Sequence, residues 1–168
     1  NKRVVLIGTP RIVDGDTIIL EELFNIRVIG IDAPESKQNC WDAKGREYAC
    51  GKKSTEHLQK LVGNGRVKCE IRGIGRFGRH TGLCYNMKDV NLNKTMVRDG
   101  YAVISTYPPT LFQNEETLAI NEKAGIWQGT LRHPHCFRHQ KKQDWKSAEL
   151  CEGGKLYNGW DDKFITKE

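Results

Sequence analysis

The chain has 168 residues, enough for one domain that buries about 70 % of the surface its unfolded form exposes. With 38 % hydrophobic and 29 % charged residues, it is too apolar for a disordered tail and too interrupted by charge for a membrane span. Its 27 basic residues outnumber 21 acidic ones, a net charge of +6 that favours a polyanionic partner, either nucleic acid or an anionic membrane surface.

Arg3–Ile7, Thr17–Glu21 and Phe24–Ile31 are rich in Val and Ile, and Asp14-Gly15-Asp16 supplies turn chemistry, so the first third is expected to form a three-stranded meander. Leu58, Leu61 and Val62 recur at helical spacing before Gly63-Asn64-Gly65, which predicts a helix over 54–62. Arg66–Arg72 and Arg79–Met87 alternate around the glycine-rich stretch Gly73–Gly78 and read as a hairpin. Opposing Cys69 to Cys84 in that hairpin centres its turn between Arg76 and Phe77, among the glycines, and cross-strand partners lie close enough for a disulfide. A Cys69–Cys84 bond is therefore predicted. Val90–Asp99 and Asn114–Ala124 read as helices stopped by Gly100 and Gly125. Beyond Trp127 no periodicity is sustained. The order of elements is that of an α+β, mainly β protein: a five-stranded Greek-key barrel of the OB type with about three helices, a fold whose open face binds oligonucleotides or sugars. Residues 1–128 are expected to form this domain, with 129–168 a basic C-terminal extension packed on it or trailing from it.

Six cysteines stand at 40, 50, 69, 84, 136 and 151 with no CxxC pair, which disfavours structural zinc and fits disulfides made in an oxidising compartment. The chain begins at Asn1 without an apolar leader, as a secreted or periplasmic protein does after its signal peptide is removed. His133, His135, Cys136 and His139 invite a metal reading, opposed by Pro134 and by the expected pairing of Cys136. A basic exposed tail is preferred there, in which Arg132, Arg138, Lys141, Lys142 and Lys146 with Trp145 either extend a nucleic-acid footprint or form solvated surface. No amphipathic basic helix suited to a membrane surface is evident.

Two carboxylate pairs carry the chemistry. Asp14 and Asp16 flank Gly15, and Asp32 and Glu35 follow an apolar strand; alone, each pair reads as turn or strand-end polarity. Arg27 lies among Ile26, Val28, Ile29 and Ile31, where a guanidinium is costly unless it meets a carboxylate, an anion or solvent. In five ordered blocks, VDGDTI from Val13, IRVIGIDAPE from Ile26, RFGR from Arg76, VNLNKTMVRDGYA from Val90 and AGIW from Ala124, the chain resembles the staphylococcal nuclease-like (thermonuclease) family, from about Val4 to Trp127. The resemblance implies an OB-fold nuclease that uses Ca2+ to hydrolyse DNA and RNA, leaving 3′-phosphate ends.

By that resemblance, Asp16, Asp32 and the Ala33 carbonyl match the calcium ligands and Arg27, Glu35 and Arg79 the catalytic positions. Asp14 and Thr17 support the ligands from behind, and Arg76, Phe77 and Tyr107 stand where substrate is contacted. Ala33 replaces a frequent Thr but keeps its carbonyl; Phe77 replaces a Tyr and loses a hydroxyl near the substrate phosphate. Exported relatives carry the pairs Cys40–Cys50 and Cys69–Cys84, which leaves Cys136–Cys151 as a third. The residue types suit the reaction. Attack on an anionic phosphodiester builds charge on phosphoryl oxygens, which a hard divalent ion and bidentate guanidiniums stabilise. Glu35 is placed to orient or deprotonate water. A monomer acting on DNA and RNA, single strands by preference, is expected. The alternative is a noncatalytic OB-fold adaptor, but inert copies typically lack one or more of these acidic and arginine positions, all of which this chain retains.

Overall fold

A computed structural model describes residues 3–75, 78–105 and 111–138, together with the backbone of 156–157 and 164–165. Ten strands and four α-helices order the described chain through residue 138. β1 (Val5–Gly8), β2 (Pro10–Asp14), β3 (Thr17–Leu20) and β4 (Phe24–Val28) open it, followed by the short β5 (Ile31–Asp32), β6 (Cys40–Trp41) and β7 (Glu47–Tyr48). Next come α1 (Cys50–Val62), the hairpin β8 (Val67–Ile74) and β9 (His80–Tyr85), α2 (Leu92–Arg98) and β10 (Val103–Ile104). α3 (Gln113–Asn121), a 3₁₀ turn (Gly125–Gln128) and α4 (Pro134–Arg138) follow; further on, β11 (Leu156–Tyr157) pairs with β12 (Phe164–Ile165).

The expected barrel architecture is observed, as a curled sheet of six strands in the order β1-β8-β9-β4-β3-β2. The opening meander holds four strands instead of three, because Pro10–Asp14 pairs with β3 at the sheet edge. There Pro10, lacking an N–H, is tolerated. In the β8–β9 hairpin Cys69 lies opposite Cys84 as predicted, with the disulfide formed at a Cα separation of 4.1 Å. A bulge between Ile71 and Gly73 then shifts the register by one residue, so that Gly73 faces Thr81. The predicted register therefore holds at the disulfide but is offset by one residue beyond the bulge; Arg76 and Phe77, where the turn was expected, lie outside the described residues. Cys40–Cys50 is also formed. Cys136 is disulfide-bonded; its expected partner Cys151 lies outside the described residues.

α1 begins four residues before the predicted start. Its buried residues Cys50, Gly51, Ser54, Leu58 and Val62 form one stripe down the helix. The stripe packs on the sheet in a core with Ile18, Leu20, Ile26, Val28, Val67 and Met96. A second cluster joins Cys40, Cys50, Val103, Ala119, Ile126, Trp127 and Leu131. Leu131 thus docks the start of the C-terminal extension, and an antiparallel bridge between Thr130 and Trp41 adds two backbone hydrogen bonds of 2.9 and 3.0 Å. Breaking the hairpin bond with paired Cys69→Ala and Cys84→Ala substitutions is expected to lower unfolding free energy by about 3 kcal/mol, as a loop of this length predicts. Urea denaturation checks this; a loss below about 1 kcal/mol would mean that the strand pairing alone restrains the loop.

Candidate active site

The DGD turn is held in place by packing. Asp14 accepts the Asp16 N–H at 3.1 Å, and the β3–β4 register sets Thr17 opposite Arg27. A Cβ at Gly15 would overlap the Ser54 hydroxyl and come within 2.7 Å of the Ala33 Cβ, so glycine lets α1 and the Ala33 loop close on the turn. Asp16 is then buried with the Ala33 N–H donating to Oδ2 at 2.8 Å and the Thr17 hydroxyl to Oδ1 at 3.2 Å. Asp32 is brought alongside by the pairing of β5 with β10, which sets it opposite Val103.

Arg27 lies between the two aspartates. Its Nη2 is 3.4 Å from Asp16 Oδ2 and 3.4 Å from Asp32 Oδ1, and donates to the Ile31 carbonyl at 3.5 Å. Of the carboxylate, anion or solvent expected to face this guanidinium, carboxylates are what it meets. Burial raises the Asp16 pKa well above the ordinary carboxylate value; Arg27 offsets this in part, while Asp14 and Asp32 add to it. At Asp32 burial pushes the same way, but hydrogen bonds and charge from Arg138, with Arg27 behind, bring the pKa below the usual value.

Arg138, at the end of α4, is the residue that sequence reasoning assigned to a basic exposed tail. Instead its Nη1 donates to Asp32 Oδ1 at 2.6 Å and to Glu35 Oε1 at 2.8 Å, and its Nη2 to Asp32 Oδ2 at 3.0 Å. Burial opposes its charge, yet these carboxylate contacts raise its pKa above the ordinary arginine value. The approach is prepared by Gln38, a buried side chain whose Nε2 donates to the Arg132 carbonyl at 2.7 Å and whose Oε1 accepts the Glu35 N–H at 3.2 Å. Gly51 makes room below, since a Cβ there would overlap the Glu35 carbonyl oxygen. Neither Gln38 nor Arg138 carried a local signal: the Arg138 contact with Asp32 spans 106 residues.

Asp14, Asp16, Thr17, Arg27, Asp32 and Ala33 therefore converge, with Glu35 joined to them through Arg138. Arg79 precedes β9, whose Thr81 pairs in parallel with Arg27. Its side chain is exposed and makes no hydrogen bond or ion pair among the described residues. Arg76, Phe77 and Tyr107 lie outside those residues, as does His139. His133 is buried, which lowers its pKa to about 4, and its Nδ1 accepts the His135 N–H at 3.2 Å.

Among the described residues no three His, Cys, Asp or Glu side chains form a ready metal cage. The donor chemistry of Asp16, Asp32 and the adjacent Ala33 carbonyl nevertheless fits a hard divalent cation, which takes few carboxylates and completes its shell with water. Charge fits as well: carboxylates at 14, 16, 32 and 35 outnumber the guanidiniums of Arg27 and Arg138 by two.

Comparison with known proteins gives the family. A family model described as staphylococcal nuclease homologue matches residues 25–129. The chain is 35 % identical over 141 residues to an uncharacterized endonuclease of Escherichia coli O157:H7, covering 78 % of this chain and 83 % of that protein. It is 32 % identical over 130 residues to the succinoglycan biosynthesis protein ExoI of Rhizobium meliloti, covering 76 % and 68 % of the two chains. To the micrococcal nuclease of Shigella flexneri it is 30 % identical over 132 residues, 70 % of each chain. The chain belongs to the staphylococcal nuclease family.

Proposed function

We propose that the chain is a calcium-dependent, sugar-nonspecific nuclease that hydrolyses phosphodiester bonds of DNA and RNA and leaves 3′-phosphate ends. The observation that carries this reading is Arg27, held 3.4 Å from two buried aspartates beside Glu35. Relatives named as endonuclease and micrococcal nuclease support the reaction class. Asp16, Asp32 and the Ala33 carbonyl are the residues that would hold calcium, with Asp14 and Thr17 orienting Asp16. Bound there, the ion supplies positive charge against the phosphoryl oxygens.

The remaining roles belong to side chains of this chain. Arg27 and Arg79 grip phosphate oxygens through paired N–H groups and meet the charge that grows as water attacks phosphorus. Glu35 accepts a proton from that water, and the bond to the 5′ oxygen breaks, the leaving oxygen taking up a proton. Arg76, Phe77 and Tyr107 contact the strand. The disulfides support work in an oxidising compartment, secreted or periplasmic, and no helix among the described residues is long and apolar enough to cross a membrane. The protein acts as a monomer, on single strands by preference.

Digestion of a single-stranded oligonucleotide with calcium, magnesium or EDTA tests the reading. Cleavage is expected with calcium and not with EDTA. Asp16→Asn is expected to shift the calcium requirement upward, with part of the activity returning at high calcium. A wild-type protein that binds the strand but never cuts it at any calcium concentration would leave a noncatalytic binding module.

A further inference from the structure

Arg138 does not belong to the sequence blocks that carry the family resemblance, yet it makes the shortest polar contact in the site, 2.6 Å to Asp32. It covers both oxygens of Asp32 and one of Glu35 at 2.6 to 3.0 Å, whereas Arg27 stands 3.4 Å from the same Asp32. We infer that Arg138 sets the metal affinity of this protein by competing with the divalent cation for Asp32. The inference rests on the proposed metal reading and goes beyond it, because it assigns a function to the C-terminal extension.

First, Asp32 has two oxygens and Arg138 engages both, so a cation taking either oxygen as a ligand must displace at least one guanidinium N–H. Second, a doubly charged ion at the buried Asp32 repels a guanidinium a few ångströms away at the half-exposed rim of the site, where charge interactions are stronger than in bulk water. Third, the guanidinium is not a free competitor but a tethered one. Leu131 is buried in the second core cluster, the Gln38 amide holds the Arg132 carbonyl, and Cys136 is disulfide-bonded. Tethering presents the cation at high effective concentration without dilution. In the absence of metal, Arg138 also compensates charge that would otherwise be left on a buried aspartate, the situation that makes a lone buried carboxylate costly.

Linkage makes the effect reciprocal: whatever factor Arg138 takes from calcium affinity, calcium takes from the hold on Arg138. Direct binding measurements on metal-stripped, nucleic-acid-free protein therefore test the inference without recourse to activity. Calorimetric titration with calcium is expected to show R138Q binding roughly 5- to 150-fold more tightly than wild type, the ordinary range of such couplings. R138K, which keeps the charge but loses the two-pronged contact, is expected to fall between them. K37Q, which removes an exposed charge nearby in the chain, is expected to stay within about twofold of wild type, as a solvent-screened charge should. In 15N-arginine-labelled wild type, the Arg138 guanidinium resonances should change as calcium is added.

Wild-type affinity, or a weaker one, in R138Q overturns the inference and leaves the metal reading intact. An equal gain in K37Q also overturns it, since net charge and not the contact would then be responsible. Absence of calcium binding in both wild type and R138Q overturns the metal reading and the inference together. If R138Q does not show a cooperative melting transition, R138K carries the test, and its affinity must exceed that of wild type.

Discussion

Exchange of Arg27 for lysine is expected to lower kcat about 10²- to 10³-fold on a single-stranded oligonucleotide while changing KM by only a small factor. The contacts of Arg27 explain the asymmetry. Its distances of 3.4 to 3.5 Å to Asp16, Asp32 and the Ile31 carbonyl are long for charge-assisted hydrogen bonds. Several loose partners hold it in place without saturating its donors, so the fork retains N–H groups to offer a phosphate. A lysine ammonium keeps the attraction for the strand and the compensation of the aspartates, so fold and ground-state binding persist. It forfeits the planar pair of donors needed where charge develops. Steady-state kinetics on one oligonucleotide, with binding measured separately in EDTA, decides the matter. Turnover at the wild-type rate would remove Arg27 from the catalytic step.

Asn93→Ala is expected to be strongly destabilising, lowering unfolding free energy by roughly 3 to 5 kcal/mol. Asn93 is fully buried on α2. Its Oδ1 accepts the Cys84 N–H at 2.9 Å, and its Nδ2 donates to the carbonyls of Ile29 at 2.8 Å and Gly82 at 3.0 Å. The Gly82 carbonyl keeps a second donor in the Ile29 N–H. Removal of the amide therefore takes the side-chain partner from the buried Cys84 N–H and the part-buried Ile29 carbonyl, at up to about 1 to 3 kcal/mol each, and leaves a small cavity. Against the 5 to 15 kcal/mol typical of a domain, that is a large fraction. Urea denaturation should show a lower midpoint with an unchanged slope. A change below about 1 kcal/mol would show that water replaces the amide at no cost. Since Ile29 leads into Asp32, the same substitution should loosen the site before it unfolds the sheet.

Local chemistry made much of this structure legible. Alternation and a glycine-rich turn were enough to pair Cys69 with Cys84, because hairpin register depends on residues close in sequence. The motif blocks located the carboxylates and Arg27 for the same reason: strand, turn and strand fall within residues 13–35. β2 escaped notice because it begins on Pro10 and lies at the sheet edge, where burial alternates but Val13 faces outward and Asp14 inward, so no apolar alternation marks the strand. The first turn of α1 was missed because its buried positions are Cys50 and Gly51, neither of which advertises an apolar face. Arg138 was out of reach altogether. A basic residue near the end of a charged, aperiodic stretch looks like solvated surface, and nothing within its neighbourhood points to a carboxylate more than a hundred residues earlier.

The position of β1 at the edge of the sheet also orders events in time. Its one partner in the sheet is β8, with Val5 opposite Glu70, so during synthesis this strand waits for more than sixty further residues before it can pair. The parallel match of Ile26 with His80 comes later in synthesis, though across a shorter separation. Sheets closed by such distant segments fold on the slower scale of roughly milliseconds to seconds. Throughout that interval Val5 and Ile7, both exposed even in the finished protein, belong to an unpaired apolar strand that can recruit another chain. The β8–β9 hairpin, whose contacts are local, is the element able to form early and present a template on one side to β1 and on the other to β4. Chains interrupted before Tyr85 would accordingly accumulate as aggregates, while those extending past it could complete the sheet.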